Sequence, residues 1–188
     1  MFGLPKLVLS VLSGAIVGGL LLFIGSEFGF RSGGFAFLLN WMVMSWVAFL
    51  GGALKVSIPI PDGYFVIRGW ESSGRFYSLL GVRLFKRLLV RGPFSGLNSK
   101  IHYSGDRSSL KQLLGPMRDA EAAHLLVFLI VALAAGYAGV MGWWDLVVQL
   151  LSLNILLNIY PIMVQRLNRA RLDRILRESG CMAAKDFS

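Results

Sequence analysis

"RDAEAAHLLVFLIVALAAGYAGVM" (residues 118–141) decides the fold, because Arg118, Asp119, Glu121 and His124 stand directly in front of an almost wholly apolar run. After His124 no charged side chain occurs before Asp145. About 18 or more consecutive apolar residues suffice to cross a hydrocarbon core of about 30 Å. Three further runs meet that length: residues 7–25, 34–54 and 146–165 contain no Asp, Glu, Lys or Arg. Four transmembrane helices are therefore predicted, at about 5–25, 34–54, 121–141 and 143–164. The expected fold class is an all-α integral membrane protein, one membrane domain over residues 1–188 with cytoplasmic amphipathic helices.

Composition agrees. Of the 188 residues, 55% are hydrophobic and 15% charged, against about 45–50% and 25% in a soluble domain. The first apolar run is longer than the apolar stretch of a signal peptide and shows no small-x-small cleavage site, so it reads as a retained helix. The single cysteine, Cys181, excludes an internal disulfide and suggests neither a metal cluster nor a redox pair.

The net charge is +9, and eleven of the nineteen Lys and Arg fall in 55–118, with six more in 165–188. Only Arg31 lies between the first two runs, and none lies between the third and fourth. The positive-inside rule then places both termini, the segment 55–118 and the tail 165–188 in the cytoplasm. A basic cytoplasmic face suits anionic inner-leaflet lipids and would attract a polyanionic soluble ligand. No nucleic-acid-binding module is visible, so nucleic acid is not an expected partner.

Within 55–118, Pro59, Pro61, Asp62 and Gly63 mark a turn. From Tyr77, apolar residues alternate with Arg83, Lys86, Arg87 and Arg91 in a helical pattern that predicts a basic interfacial helix. Residues 92–107 read as a Gly/Ser/Asn-rich loop carrying His102, and 108–118 as a short amphipathic helix. Residues 165–180 read as a basic helix that continues the fourth span and ends near Gly180. Gly14, Gly18 and Gly19 suggest close helix packing.

The polar residues inside the spans form a pattern. Glu121 and His124 share a helix face, with Arg118 one turn earlier, and Asn154 and Asn158 share another that Gln165 continues. At about 1.5 Å rise per residue, His124 lies roughly 9 Å in, Asn158 about 10 Å and Asn154 about 16 Å. Antiparallel neighbours would set His124 level with Asn158, predicting a polar pocket that opens toward the cytoplasmic leaflet. Each residue has a plainer role: Asn as interhelical glue, Arg118 and Asp119 as interface anchors, Glu121 as complement to a helix dipole. Together they form a costly set, and intramembrane ionisable residues mark functional sites. A His beside a carboxylate can deprotonate a hydroxyl, the carboxylate fixing its tautomer. No nucleophile elbow surrounds the serines, and His102 with His124 does not match metal-ligand spacing. Direct acyl transfer onto an alcohol fits these parts.

"RGWESSGRFYSLLGVRLFKRLLVRGPFSGLNSKIHY" (68–103), "MRDAEAAH" (117–124) and "NILLNIYPIMVQRLNRARL" (154–172) together resemble the glycosyl-4,4'-diaponeurosporenoate acyltransferase family of small bacterial membrane proteins. The matching features are the pair Trp70-Glu71, the Gly81-Val82…Lys86 segment, Lys100 and His102, the Arg118…Glu121…His124 motif, and Asn154…Asn158…Pro161…Gln165-Arg166…Arg169. Phe85 stands where the family pattern has Trp, and Ile101 separates Lys100 from His102. The resemblance covers roughly 55–175 and implies transfer of a fatty acyl group to a sugar hydroxyl of a membrane glycolipid, such as a glycosylated carotenoid or a polyprenyl-linked sugar.

On that reading His124 is the general base and Glu121 orients it. Asn154, Asn158 and Gln165 bind acceptor hydroxyls or the acyl carbonyl. Arg118, Arg166 and Arg169, with Lys86 and Lys100, attract acyl-CoA or another anionic donor, and Trp70, Glu71 and His102 complete the substrate-binding set. No cofactor and no metal is implied, and the location is the bacterial inner membrane. The alternative is a non-catalytic lipid-binding or accessory subunit of a larger membrane complex, whose polar stripe docks a partner.

Overall fold

The computed structural model describes residues 4–91, 110 and 112–185, and among them it contains helices, turns and no strand. The helices are α1 (Leu4–Phe28), α2 (Gly33–Gly52), α3 (Gly69–Ser72), α4 (Arg75–Leu79), α5 (Val82–Arg91), α6 (Leu114–Val140), α7 (Trp144–Asn154) and α8 (Tyr160–Lys185), with a π-turn at Ile155–Ile159 between the last two. Four helical spans are long and apolar enough to cross a membrane: α1, α2, α6 and the stretch from Trp144 to Arg177. The protein is an all-α membrane protein.

The chain divides into two compact units: Met1–Pro59 with Ala122–Ile159, and Ile60–Glu121 with Tyr160–Ser188. In the first, Phe35, Ala36, Val43 and Val47 of α2 pack with Val127, Val131, Ala135 and Ala138 of α6 and Leu146 and Leu150 of α7. α1 buries only Gly25 and leaves Leu7, Val11, Ile16, Leu22 and Phe23 exposed, as a lipid-facing helix does. Its contact with α2 includes the Trp46 indole N–H donating to Ser13 Oγ at 3.1 Å. Gly14 lies under that indole, where a Cβ would come within 3.1 Å of Trp46 Cζ2, whereas Cβ atoms at Gly18 and Gly19 would meet nothing within 4 Å. Only Gly14 of the predicted glycine cluster therefore serves close packing.

Local chemistry sets the ends of these helices. Ser32 caps α2, its hydroxyl accepting from the Phe35 N–H at 3.1 Å. α6 closes with Trp143 N–H donating to Ala138 O and Gly142 N–H to Gly139 O. That paired closure needs a left-handed residue, and Gly142 supplies it at φ 72°. Arg31 and Asp145 join the two connecting turns on one side through N–O distances of 2.9–3.0 Å. Both are exposed, so water screens the pair and it adds little to stability.

In the second unit, Tyr77, Val82 and Val164 form a small core with Phe85, Tyr160, Met163 and Leu167 packed against it. The single basic helix expected from Tyr77 onward is broken into α4 and α5 by Gly81 at φ 71°, a conformation an L side chain resists. α6 begins at Leu114, seven residues before the predicted 121. Pro116 is accepted there because the first helical N–H groups lack intrahelical partners anyway. The fourth span contains Pro161, as expected, but a π-turn interrupts it at Ile155–Ile159. Proline has no N–H for the Leu157 carbonyl, and the wider π-turn immediately before it accommodates the lost bond. α8 then runs through Gly180 to Lys185.

Candidate functional site

Within the first unit, three asparagines and one histidine meet in an otherwise apolar interior. Asn40, Asn154 and Asn158 are fully buried. Asn158 Nδ2 donates to Asn154 Oδ1 at 2.8 Å and to Asn40 Oδ1 at 3.4 Å. Asn40 Nδ2 donates back to Ala36 O at 3.1 Å, and Asn154 Nδ2 to Phe128 O at 3.0 Å. These bonds occupy the donor side of Asn158 and leave its Oδ1 facing His124 Nδ1 at 3.3 Å. An amide oxygen can only accept, so in the neutral ring Nδ1 of His124 carries the hydrogen and Nε2 keeps the lone pair, while the Leu157 backbone is a second partner of the ring. His124 is partly buried.

Within the second unit, two buried carboxylates bind two guanidiniums. Arg166 places Nε 2.7 Å from Glu71 Oε1, Nη2 2.9 Å from Glu71 Oε2 and Nη1 2.9 Å from Glu121 Oε1. Arg169 donates to Glu121 Oε2 from Nη2 at 2.7 Å and from Nε at 3.1 Å. The remaining guanidinium hydrogens reach backbone: Arg166 to Tyr64 O and Val66 O, Arg169 to Phe65 O. Tyr77 donates to Glu71 Oε1, and the Arg68 N–H to Glu71 Oε2 at 2.8 Å. Glu71 and Glu121 expose 1% and 0% of their surface, and burying two carboxylates is costly without this degree of pairing.

Burial by itself would raise the Glu71 carboxyl, but hydrogen bonds from Arg166, Tyr77 and the Arg68 N–H outweigh it and bring it down to about 2. Tyr77 is pushed up, first by burial and then by its bond to the Glu71 charge, so it remains a donor. The depressed acid stabilises the fold fully above its ordinary value near 4.5, and that contribution is lost as pH falls toward 2. The thermal midpoint of the wild-type protein should therefore fall between those pH values, and Glu71→Gln should flatten the slope. Equal slopes in thermal scans would show that Glu71 carries no such linkage.

The expected site residues are distributed unevenly. His124 and Asn158, set at one level by helix rise, are in direct contact. Glu121, expected to orient His124, instead gives both carboxylate oxygens to guanidiniums; the group facing Nδ1 is an amide. Arg166 and Arg169, expected to attract an anionic donor, are matched by two carboxylates. Arg118 pairs with Asp62 at 3.2 Å in an exposed position and lies over the Phe65 ring. Gln165 is partly buried on α8. Trp70 is about half exposed and meets Phe76 edge-on at 4.7 Å. Lys100 and His102 lie outside the described residues. Among the described residues, no three His, Cys, Asp or Glu side chains gather closely enough to hold a metal ion.

Asn40 and Tyr77 were not anticipated. Asn40 had a signal, as an amide in an uncharged span. Tyr77 had none, because a phenol in an amphipathic pattern reads as one more apolar position.

No curated protein and no solved structure matches the chain. Residues 61–178 match the family described as glycosyl-4,4'-diaponeurosporenoate acyltransferase. That interval contains His124, Asn154 and Asn158 and the whole Glu71–Arg166–Glu121–Arg169 network, and it leaves out Asn40. Because the match covers more than half of the chain, including nearly every buried polar side chain described above, the protein belongs to the glycosyl-4,4'-diaponeurosporenoate acyltransferase family.

Proposed function

We propose that the protein transfers a fatty acyl group from an acyl thioester, such as acyl-CoA, to a sugar hydroxyl of a membrane glycolipid: a glycosylated carotenoid or a polyprenyl-type lipid. The observation that carries this reading is the contact between His124 Nδ1 and Asn158 Oδ1. With Nδ1 fixed as a donor, Nε2 takes the proton of the attacking hydroxyl. The hydroxyl oxygen then forms a bond to the acyl carbonyl carbon, the carbon–sulfur bond breaks, and the proton returns from Nε2 to the leaving sulfur. Asn154 and Asn40 hold Asn158 in the rotamer that aims its oxygen at the ring. Asn158 is a positioning residue, doing what Glu121 was expected to do.

On the charge asymmetry of the sequence, both termini and the segment 55–118 face the cytoplasm, where an activated acyl donor is made. The test is direct. The purified protein in lipid nanodiscs, given acyl-CoA and a glucosylated carotenoid acid, should yield a product heavier by one acyl chain in mass spectrometry. Failure with carotenoid and polyprenyl glycosides alike, in protein shown to be folded, would overturn the reading.

A further inference from the structure

Arg166 and Arg169 being matched by carboxylates, the unmatched positive charge of the second unit lies elsewhere. A cavity of about 520 Å³ is lined by Arg83, Lys86 and Arg87 of α5, Arg171 and Arg174 of α8, and the turn Ser72–Gly74. None of these five cations has a carboxylate within ion-pair distance among the described residues. Two of them are nonetheless held in place by neutral acceptors. Lys86 Nζ donates to Asn168 Oδ1 at 2.6 Å, and Arg174 Nη2 to Ser72 O at 2.8 Å. Neutral acceptors fix a cation without cancelling its charge. Burial and the neighbouring Arg171 charge both push the Lys86 ammonium below its ordinary value, a strain that a bound anion would relieve.

We propose that this cavity binds an anion bearing two or more phosphate groups. Five cations exceed what one carboxylate would neutralise, and guanidinium forks match phosphate oxygens two at a time. Two sources share that chemistry: the phosphates of a nucleotide-type acyl carrier such as coenzyme A, and the headgroup of a lipid with two phosphates, such as cardiolipin. The first deepens the acyl-transfer reading and rests on it. The phosphate site itself does not, because its test is binding without turnover.

The experiment uses the full chain in phosphatidylcholine nanodiscs, titrated with coenzyme A and, separately, with inorganic pyrophosphate. The comparison proteins are Arg87→Gln/Arg171→Gln in the cavity, Arg171→Gln alone in case the pair fails to fold, and Arg75→Gln outside it. Coenzyme A should bind the wild type with an affinity that falls as salt rises. The cavity variants should lose roughly tenfold or more, and Arg75→Gln should match the wild type. If neither soluble probe binds but cardiolipin, a lipid with two phosphates, when present in the disc raises the thermal midpoint of the wild type and Arg75→Gln only, the anion is a lipid headgroup and the site stands. The proposal is overturned if the cavity variants and Arg75→Gln respond alike to every probe. Coenzyme A binding by a wild-type protein that shows no acyl transfer would count against the acyl-transfer reading and leave the phosphate site standing.

Discussion

Replacing His124 with alanine is expected to lower acyl transfer by about 10²–10⁴-fold, the usual contribution of a positioned general base. The loss should appear in kcat more than in KM, because Nε2 acts on the proton as the new bond forms and adds little to ground-state binding. The stability cost should be small. Interhelical hydrogen bonds inside membranes average about 0.6 kcal/mol, and Asn158 keeps its bonds to Asn154 and Asn40. A variant with a near-normal melting curve and near-normal activity would remove His124 from the mechanism. Asn158→Leu supplies a second readout: with the tautomer released, the pH–rate profile should broaden or shift, whereas a purely structural asparagine would change yield alone.

The other large effect concerns folding. Arg169→Leu should destabilise the protein by about 3–5 kcal/mol, the range for removing one partner of a buried ion pair. Glu121 would keep one bond, from an Arg166 already shared with Glu71, and the Phe65 carbonyl would lose its donor. Changing Glu121 as well, in Glu121→Leu/Arg169→Leu, should recover much of the loss, since apolar replacement of both members of a buried pair is often neutral. Melting curves of the two variants in the same detergent test this. A double variant no better than the single one would show that the pair does more than balance charge.

How much of this was legible beforehand depends on the physics behind each feature. The four spans could be read directly, because uncharged runs of this length have few other fates. Their boundaries could not. Pro116 looks like a breaker yet is harmless in a first turn, and Gly81 looks like one more small residue on a helix yet adopts a left-handed conformation. The π-turn before Pro161 has no signature in a 3.6-residue period. In the site, helix rise alone brought His124 to the level of Asn158, since depth along a helix is a property of sequence. The partner a carboxylate selects is not. Glu121 lies three residues from His124 and 45 from Arg166, and the distant guanidinium satisfies it better than a nearby imidazole could.

The buried ionic network also bears on how the protein is made. Glu71 precedes Arg166 by 95 residues and Glu121 precedes Arg169 by 48, so both acids leave the ribosome well before their counter-ions. At roughly 5–20 residues per second, each waits several seconds, and burying a carboxylate before its partner arrives is costly. Arrival of α8 then supplies both counter-ions. The ionic network of this unit is thus completed only by its last helix, and a nascent chain halted before Arg166 would carry two acids without counter-ions.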